Sequence, residues 1–433
     1  MSEKTTFLFG SSKKSFSFPV DFFPYRSFRG RYYTGIHDPI HVRCFYFQVQ
    51  EERLLLLSME LGDLGDISVW QERISTLTGV PQDHIFLSVT HNHEAPHVSD
   101  DYHQDVVDVQ KTQAFASLVL QATEAAVLQA VKTAQPANLG FGEGVCDINV
   151  NRDYIINGRS IMAPNPHGIS DKSVGVVKVV STEGLILAYL VNYAVHGVVM
   201  FDSAQKDGGM LISGDLPGRV CSILEERHDG NVVAMFTSGA AGDQLPRYMA
   251  KRIVHDGKGG RLQVDAGASG WLLLEVQAEN LADEVLRVAK QLKFYDGEPF
   301  IRAQQRVFTV LGQKKTERPM DVPEDYVFED GDPVLMPLGV FFLGPFAFIG
   351  IPAEPVCSIG LEIKQSIPVK HVMLITHCNG SLSYISDEAG YRHKSFEAVV
   401  SHFKRGCGRE TLVEGSVDMV SSLLPRERRP KDV

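Results

Sequence analysis

IFLSVTHNHEAP, residues 85–96, runs from an apolar stretch directly into residues able to bind metal or carry protons. Ile85 to Val89 are almost all large and apolar, without the in-out alternation of a half-exposed strand. That is how a strand buried on both faces reads. His91, His93 and Glu94 follow at once. The same sequence of events recurs. LILAYLVNYAV (185–195) leads to His196, and VVAMF (232–236) to the small-residue loop Ser238-Gly239-Ala240-Ala241-Gly242-Asp243. FFLGPFAFIGI (341–351) leads to Pro352-Ala353-Glu354, and VMLIT (372–376) to His377-Cys378-Asn379-Gly380 and on to Tyr384. In open α/β sheets, ligands bind beyond the carboxyl ends of the strands. Five polar clusters in that position are hard to ascribe to chance.

Working outward, strands are expected at 41–50, 53–59, 84–89, 174–180, 185–195, 232–236 and 372–375. The run 340–351 is strand-like too, and the longer apolar stretch 334–351, interrupted by Pro337, Gly339, Gly344, Pro345 and Gly350, reads as two short buried strands and a turn. Helical periodicity covers 112–132 and 271–292, with shorter candidates at 355–366 and 387–404, the last ended by Gly406. Interleaved buried strands and helices predict an α/β fold: a mixed, largely buried β-sheet core flanked by helices, with the site at the C-terminal ends of strands. Loops are expected at 203–209, 256–260 and 321–332. None marks a domain boundary.

The composition is that of an ordinary soluble protein, 44% hydrophobic and 22% charged, with net charge -11. This acidity argues against nucleic acid or an anionic membrane as the main partner. The one basic cluster, Arg426, Arg428, Arg429 and Lys431, reads as a solvated tail. Six cysteines without CxxC spacing indicate neither a disulfide framework nor a thiolate zinc site, and fit a reducing compartment. The N-terminus lacks the apolar core of a signal peptide. A cytoplasmic protein without stable membrane insertion is expected, and a homo-oligomer is left open.

His91 and His93 are two apart, so in an extended segment both leave one face. His, Glu and Tyr offer N and O donors without thiolate, a set suited to catalytic zinc and open to manganese or iron. Each residue has a plainer reading alone. His196 fits a core histidine, Glu354 the first turn of a helix, and Tyr384 a core aromatic. The glycine-rich loop, lacking a GK[ST] ending, serves packing or substrate contact. Asp215 reads as the cap of a helix begun by Pro217.

Taken in order, these residues resemble the neutral/alkaline, non-lysosomal ceramidase family in its catalytic N-terminal domain. Its T-H-T-H-S-G-P motif is similar to Thr90-His91-Asn92-His93-Glu94-Ala95-Pro96, and its Asn-aromatic-Ala-Val-His motif to Asn192-Tyr193-Ala194-Val195-His196. Its P-G-E resembles Pro352-Ala353-Glu354, and its N-x-Y-x-x-Y-I the stretch Asn379 to Ile385. Thr34-Gly35-Ile36-His37-Asp38-Pro39, Asn151-Arg152, Gly214-Asp215 and Gly242-Asp243 add further matches. The resemblance implies zinc held by His91, His196, Glu354 and Tyr384, with His93 and Arg152 facing the scissile amide. Two departures stand out. Leu245 replaces the serine of the family's G-D-x-S-P segment. The chain, read as a single catalytic domain over 1–433, leaves no room for the family's C-terminal β-sandwich.

The expected function is therefore metal-dependent hydrolysis of an amide C–N bond in a small or amphiphilic N-acyl compound other than ceramide. A cation would activate water and polarise the carbonyl, and His93 and Arg152 would stabilise the oxyanion. Tyr384 would ligate or close the site, and Asp243 would orient a ligand group or shape its loop. Ester or lactone hydrolysis and a catalytically silent metal-binding homologue are the alternatives.

Overall fold

A computed structural model describes residues 6–27, 30–99, 105–255, 261–316 and 322–424. Two sheets dominate it. The larger has nine strands, ordered Val233–Ser238, Ile186–Tyr193, Ser173–Ser181, Gln135–Val145, Phe7–Ser15, His41–Val49, Glu52–Met59 and Ile85–Val89, with Lys293–Phe294 pairing beside Gln135–Val145. The smaller has four, Ile301–Gln313, Asp330–Leu343, Phe346–Gly350 and His371–Ile375.

Alternation along the strands explains why their sequences are apolar throughout. Phe45 and Phe47 meet Phe341 and Phe348 in one core between the sheets, while Cys44 and Tyr46 pack with Phe115 and Val119 of the helix Val106–Lys132. In the same way Leu190 faces the second sheet, and Tyr189 and Val191 face the helices Asp215–Glu226 and Gly270–Gln291. On the far side, Leu338 and Val340 pack under Cys357–Ser366 and Cys407–Leu423. The result is a helix–sheet–sheet–helix stack in which both sheets are covered on both faces. Among the described residues, only Val107–Lys132 is long and apolar enough to cross a membrane. Its Phe115, Val119, Ala126 and Val127 are fully buried against the sheet.

The expected strands form with ends shifted by a residue or two, except that the strand expected from 340 already begins at Asp330. The run 340–351 is a hairpin turning at Gly344, whose φ is +57°. Two helical expectations fail. The segment 387–404 splits into Glu388–His393 and Phe396–Val399, because Lys394 turns left-handed at φ +52° and Ser395 caps a new start through Ala398 N. Gly406 opens a helix instead of ending one, lying at φ +82° before Cys407–Leu423. Asp215 is itself the first helical residue, and its carboxylate accepts from Leu216 N as well as from Val199 N and Met200 N, tying down the loop after His196. The loop 203–209 forms as expected, and 330–332 belong to a strand. Residues 256–260, Asp321 and the basic tail lie outside the described residues.

Candidate metal centre and substrate cavity

Beyond the carboxyl ends of Ile85–Val89, Ile186–Tyr193 and His371–Ile375, three imidazoles converge on one oxygen of the carboxylate that follows Phe346–Gly350. Glu354 Oε2 lies 3.3 Å from His91 Nε2, 3.1 Å from His196 Nε2 and 3.6 Å from His377 Nε2. His93 Nε2 stands 3.0 Å from His91 Nε2. The pair does share a site, but not as an extended strand: His91 has φ +53°, so a left-handed turn aims both rings inward. Asn92 between them is buried and anchors the turn, its Nδ2 donating to Ser213 O at 2.6 Å and Glu60 O at 3.2 Å.

The outer nitrogens decide the chemistry. His91 Nδ1 donates to Gly62 O at 3.1 Å, and His196 Nδ1 to Gln244 O at 3.0 Å. Each ring is thereby set in the tautomer whose Nε2 carries a lone pair. Those lone pairs face a carboxylate oxygen, acceptor against acceptor, an arrangement that a shared cation makes favourable. Burial first, and the neighbouring His377 and His196 next, push His91 down to about 3 despite Glu354. Burial likewise holds His93 well below its ordinary value. Burial opposes ionisation of Glu354, but the imidazoles of His91, His377 and His196 beside it hold it well below the usual carboxylate range. Imidazoles around one carboxylate are a donor set that fits a divalent cation.

His377 was not among the expected site residues. Its signal was its place directly after VMLIT, the same position that singled out His196 after its own strand.

The remaining expected residues divide. Arg152 is buried, donates from Nε to the fully buried Glu397 at 2.7 Å, and lies 5.3 Å from the ring centre of Tyr384. Tyr384 pairs in register with Glu354 across a two-stranded parallel ladder, and burial raises its phenol far above its ordinary value. Asp243 ties its loop to two other segments: Oδ1 accepts from Cys357 N at 2.7 Å and Oδ2 from Asn151 Nδ2 at 2.6 Å. Burial pushes its carboxyl up to about 7.

The glycine-rich loop packs against the segment that carries Glu354. Gly242 N donates to Pro355 O at 3.0 Å, and a Cβ there would stand 2.7 Å from Glu354 O. Gly242→Ala is therefore expected to displace Glu354, costing about 1–3 kcal/mol of stability and on the order of tenfold in metal affinity. Urea unfolding and chelator competition would test this, and unchanged affinity would refute it.

Asp153, next to Arg152, accepts from Ser160 Oγ at 2.6 Å, and burial, then Glu397, push its carboxyl up to about 8. A carboxyl whose folded pKa exceeds its unfolded value of about 4 binds more protons when folded, so stability falls as pH rises between the two. Asp153→Asn should raise the Tm at pH 8 by about 2 °C and leave it unchanged near pH 4. Equal shifts at both pH values would contradict that origin.

Two cavities flank the cluster. One, of about 360 Å³, is lined by His93, Arg152, Phe201, Leu245, Met249 and Phe396 among others. Leu245 packs there with Val150 and Val198. The other, of about 370 Å³, reaches His91, His93 and Glu354 from a polar side bearing Asp63, Lys315 and Ser383.

No curated protein sequence matches the chain. The crystal structure of neutral ceramidase from Pseudomonas aeruginosa aligns with 100% of this chain and 76% of its own at 18% identity, with a TM-score of 0.75. A ceramidase complexed with C2 aligns with 99% of this chain and 77% of its own at 17% identity, with a TM-score of 0.73. At such identities the likeness speaks for the fold, and it extends over the second sheet that carries Glu354, His377 and Tyr384. The sequence pattern of neutral/alkaline non-lysosomal ceramidases, N-terminal, matches residues 21–265, a span that includes His91, Arg152 and His196. That match takes in more than half of the chain, which thus belongs to the neutral/alkaline non-lysosomal ceramidase family.

Proposed function

We propose that this chain is a metal-dependent hydrolase of the amide C–N bond in N-acyl compounds, with zinc as the metal. The observation that carries the reading is the convergence of His91 Nε2 and His196 Nε2 within 3.3 Å of Glu354 Oε2, with both outer nitrogens spent on backbone carbonyls. His91, His196 and Glu354 would hold the cation, with Tyr384 beside Glu354 as a further donor or closing group. Such a cation, when bound, polarises the scissile carbonyl and makes water a nucleophile near neutral pH.

The chain's own residues do the rest. Arg152 Nε is held by Glu397, while Nη2 has no hydrogen-bond partner among the described residues. Nη2 can thus donate to the carbonyl oxygen as charge develops there. His93 borders both cavities, where its imidazole can take a proton from water and return it to the departing nitrogen. Leu245 offers no hydroxyl, so an acyl-enzyme at that position is impossible and attack by water is direct. Asp243 maintains the loop under Glu354.

The two cavities match a substrate of two unlike halves. An acyl chain suits the space beside Phe201, Leu245, Met249 and Phe396, and a polar amine suits the side bearing Asp63 and Lys315. A volume of about 360 Å³ is at the lower end for small-molecule sites, about 300–1,000 Å³, and favours one chain over two. Matched panels of N-acyl amino acids, N-acyl alkanolamines, ceramide and the corresponding esters, assayed with and without chelator, would test the proposal. Chelator-sensitive cleavage of single-chain amides is expected. Cleavage of esters alone, or rates indifferent to chelator, would defeat it.

A further inference from the structure

His377 is fully enclosed, yet neither ring nitrogen makes a hydrogen bond of normal length. Nδ1 is buried without a partner among the described residues, and Nε2 comes no nearer to Glu354 Oε2 than 3.6 Å. Beyond about 3.5 Å such a contact is not a hydrogen bond. Buried polar atoms are otherwise nearly always satisfied, so a core histidine of this kind needs a reason. The spacing supplies one. Two ligand atoms, each about 2.0–2.1 Å from a tetrahedral zinc, stand about 3.3 Å apart. The separations of 3.1, 3.3 and 3.6 Å from Glu354 Oε2 to the three imidazoles surround that value.

The backbone holds the ring there against its own preference. His377 has φ +49°, a conformation that costs a non-glycine residue on the order of 1–3 kcal/mol and clusters at functional sites. Main-chain bonds on both sides enforce it: Thr376 N donates to Ser238 O at 2.9 Å, Cys378 N to Ile351 O at 2.9 Å and Asn379 N to Leu87 O at 2.8 Å. The strain delivers the imidazole against that of His91, with ring centres 4.0 Å apart and planes 14° apart. Ligand atoms of His91, Glu354 and His377 all lie within 4.8 Å of one another.

We propose that His377 is a third imidazole ligand of the cation held by His91, His196 and Glu354. The inference rests on the metal-dependent reading above and adds a nitrogen donor to the set implied by the family resemblance.

The test is X-ray absorption at the zinc edge on the full chain loaded with one equivalent of zinc, which counts imidazoles directly and without assaying turnover. Three imidazoles are expected in the unchanged chain and two in His377→Asn, because asparagine tolerates the left-handed backbone. Zinc affinity by chelator competition should fall about 10–100-fold in that variant. Two imidazoles in the unchanged chain, or an unaltered count in His377→Asn, would overturn the assignment of His377 alone, provided His196→Ala still abolishes binding. Failure of the unchanged chain to bind zinc would overturn this assignment together with the proposed function.

Discussion

His196→Ala is expected to leave the purified chain with less than a tenth of the zinc carried by the unchanged protein, and with no measurable amide hydrolysis. The side chain is buried, with Nδ1 donating to Gln244 O at 3.0 Å and Nε2 3.1 Å from Glu354 Oε2. Alanine removes the donor and leaves an enclosed gap beside Glu354. Loss of a cation worth several kcal/mol of charge stabilisation corresponds to a rate loss on the order of 1,000-fold or more. Elemental analysis and turnover of the same preparation would check both. His91→Ala should behave alike, since His91 also turns a lone pair to Glu354. Full zinc content in either variant would remove these two imidazoles from the ligand set. Equal, near-zero metal in the unchanged chain and both variants would end the metal proposal.

Arg152→Ala should lose turnover and stability together, for separable reasons. Its guanidinium is the only partner among the described residues for Glu397, which is fully buried, with Nε to Oε1 at 2.7 Å. Breaking one side of a buried ion pair costs about 3–5 kcal/mol, because the other charge stays buried and uncompensated. Removing one oxyanion donor costs about 100–1,000-fold in kcat. The double variant Arg152→Ala with Glu397→Gln should regain most of the stability in urea unfolding but none of the rate. Recovery of both would mean that Arg152 acts only by supporting the fold.

These predictions rest on residues whose roles were unequally visible beforehand. His91, His196 and Glu354 each follow an apolar run, and that position after a buried strand marked them. The covered strands were equally plain, since burial on two faces leaves an unbroken apolar sequence. Other strands left no such trace. Gln135–Val145 carries Gly140, Gly142 and Gly144, where a Cβ would strike Leu292, Val288 or Glu284 of the approaching helical segment. Ile301–Gln313 is largely exposed or half-buried and reads as polar. Their reasons lie in what packs on them, not in their own pattern. The break at Lys394 and Ser395 was missed because a local cap there outweighs a helical periodicity that continues on both sides.

Local sequence determined which segments become buried strands and helices, and which polar residues stand at their ends, since both follow from apolar periodicity within a few residues. Only tertiary structure decided that Glu354 and His377, beyond strands of the second sheet, meet His91 and His196, beyond strands of the first. It also decided that Asp243 turns to Asn151 and Cys357 and that left-handed backbone at His91 and His377 aims their rings at one oxygen. Such distances depend on how two sheets stack and on main-chain bonds between segments up to hundreds of residues apart, and no local pattern encodes them.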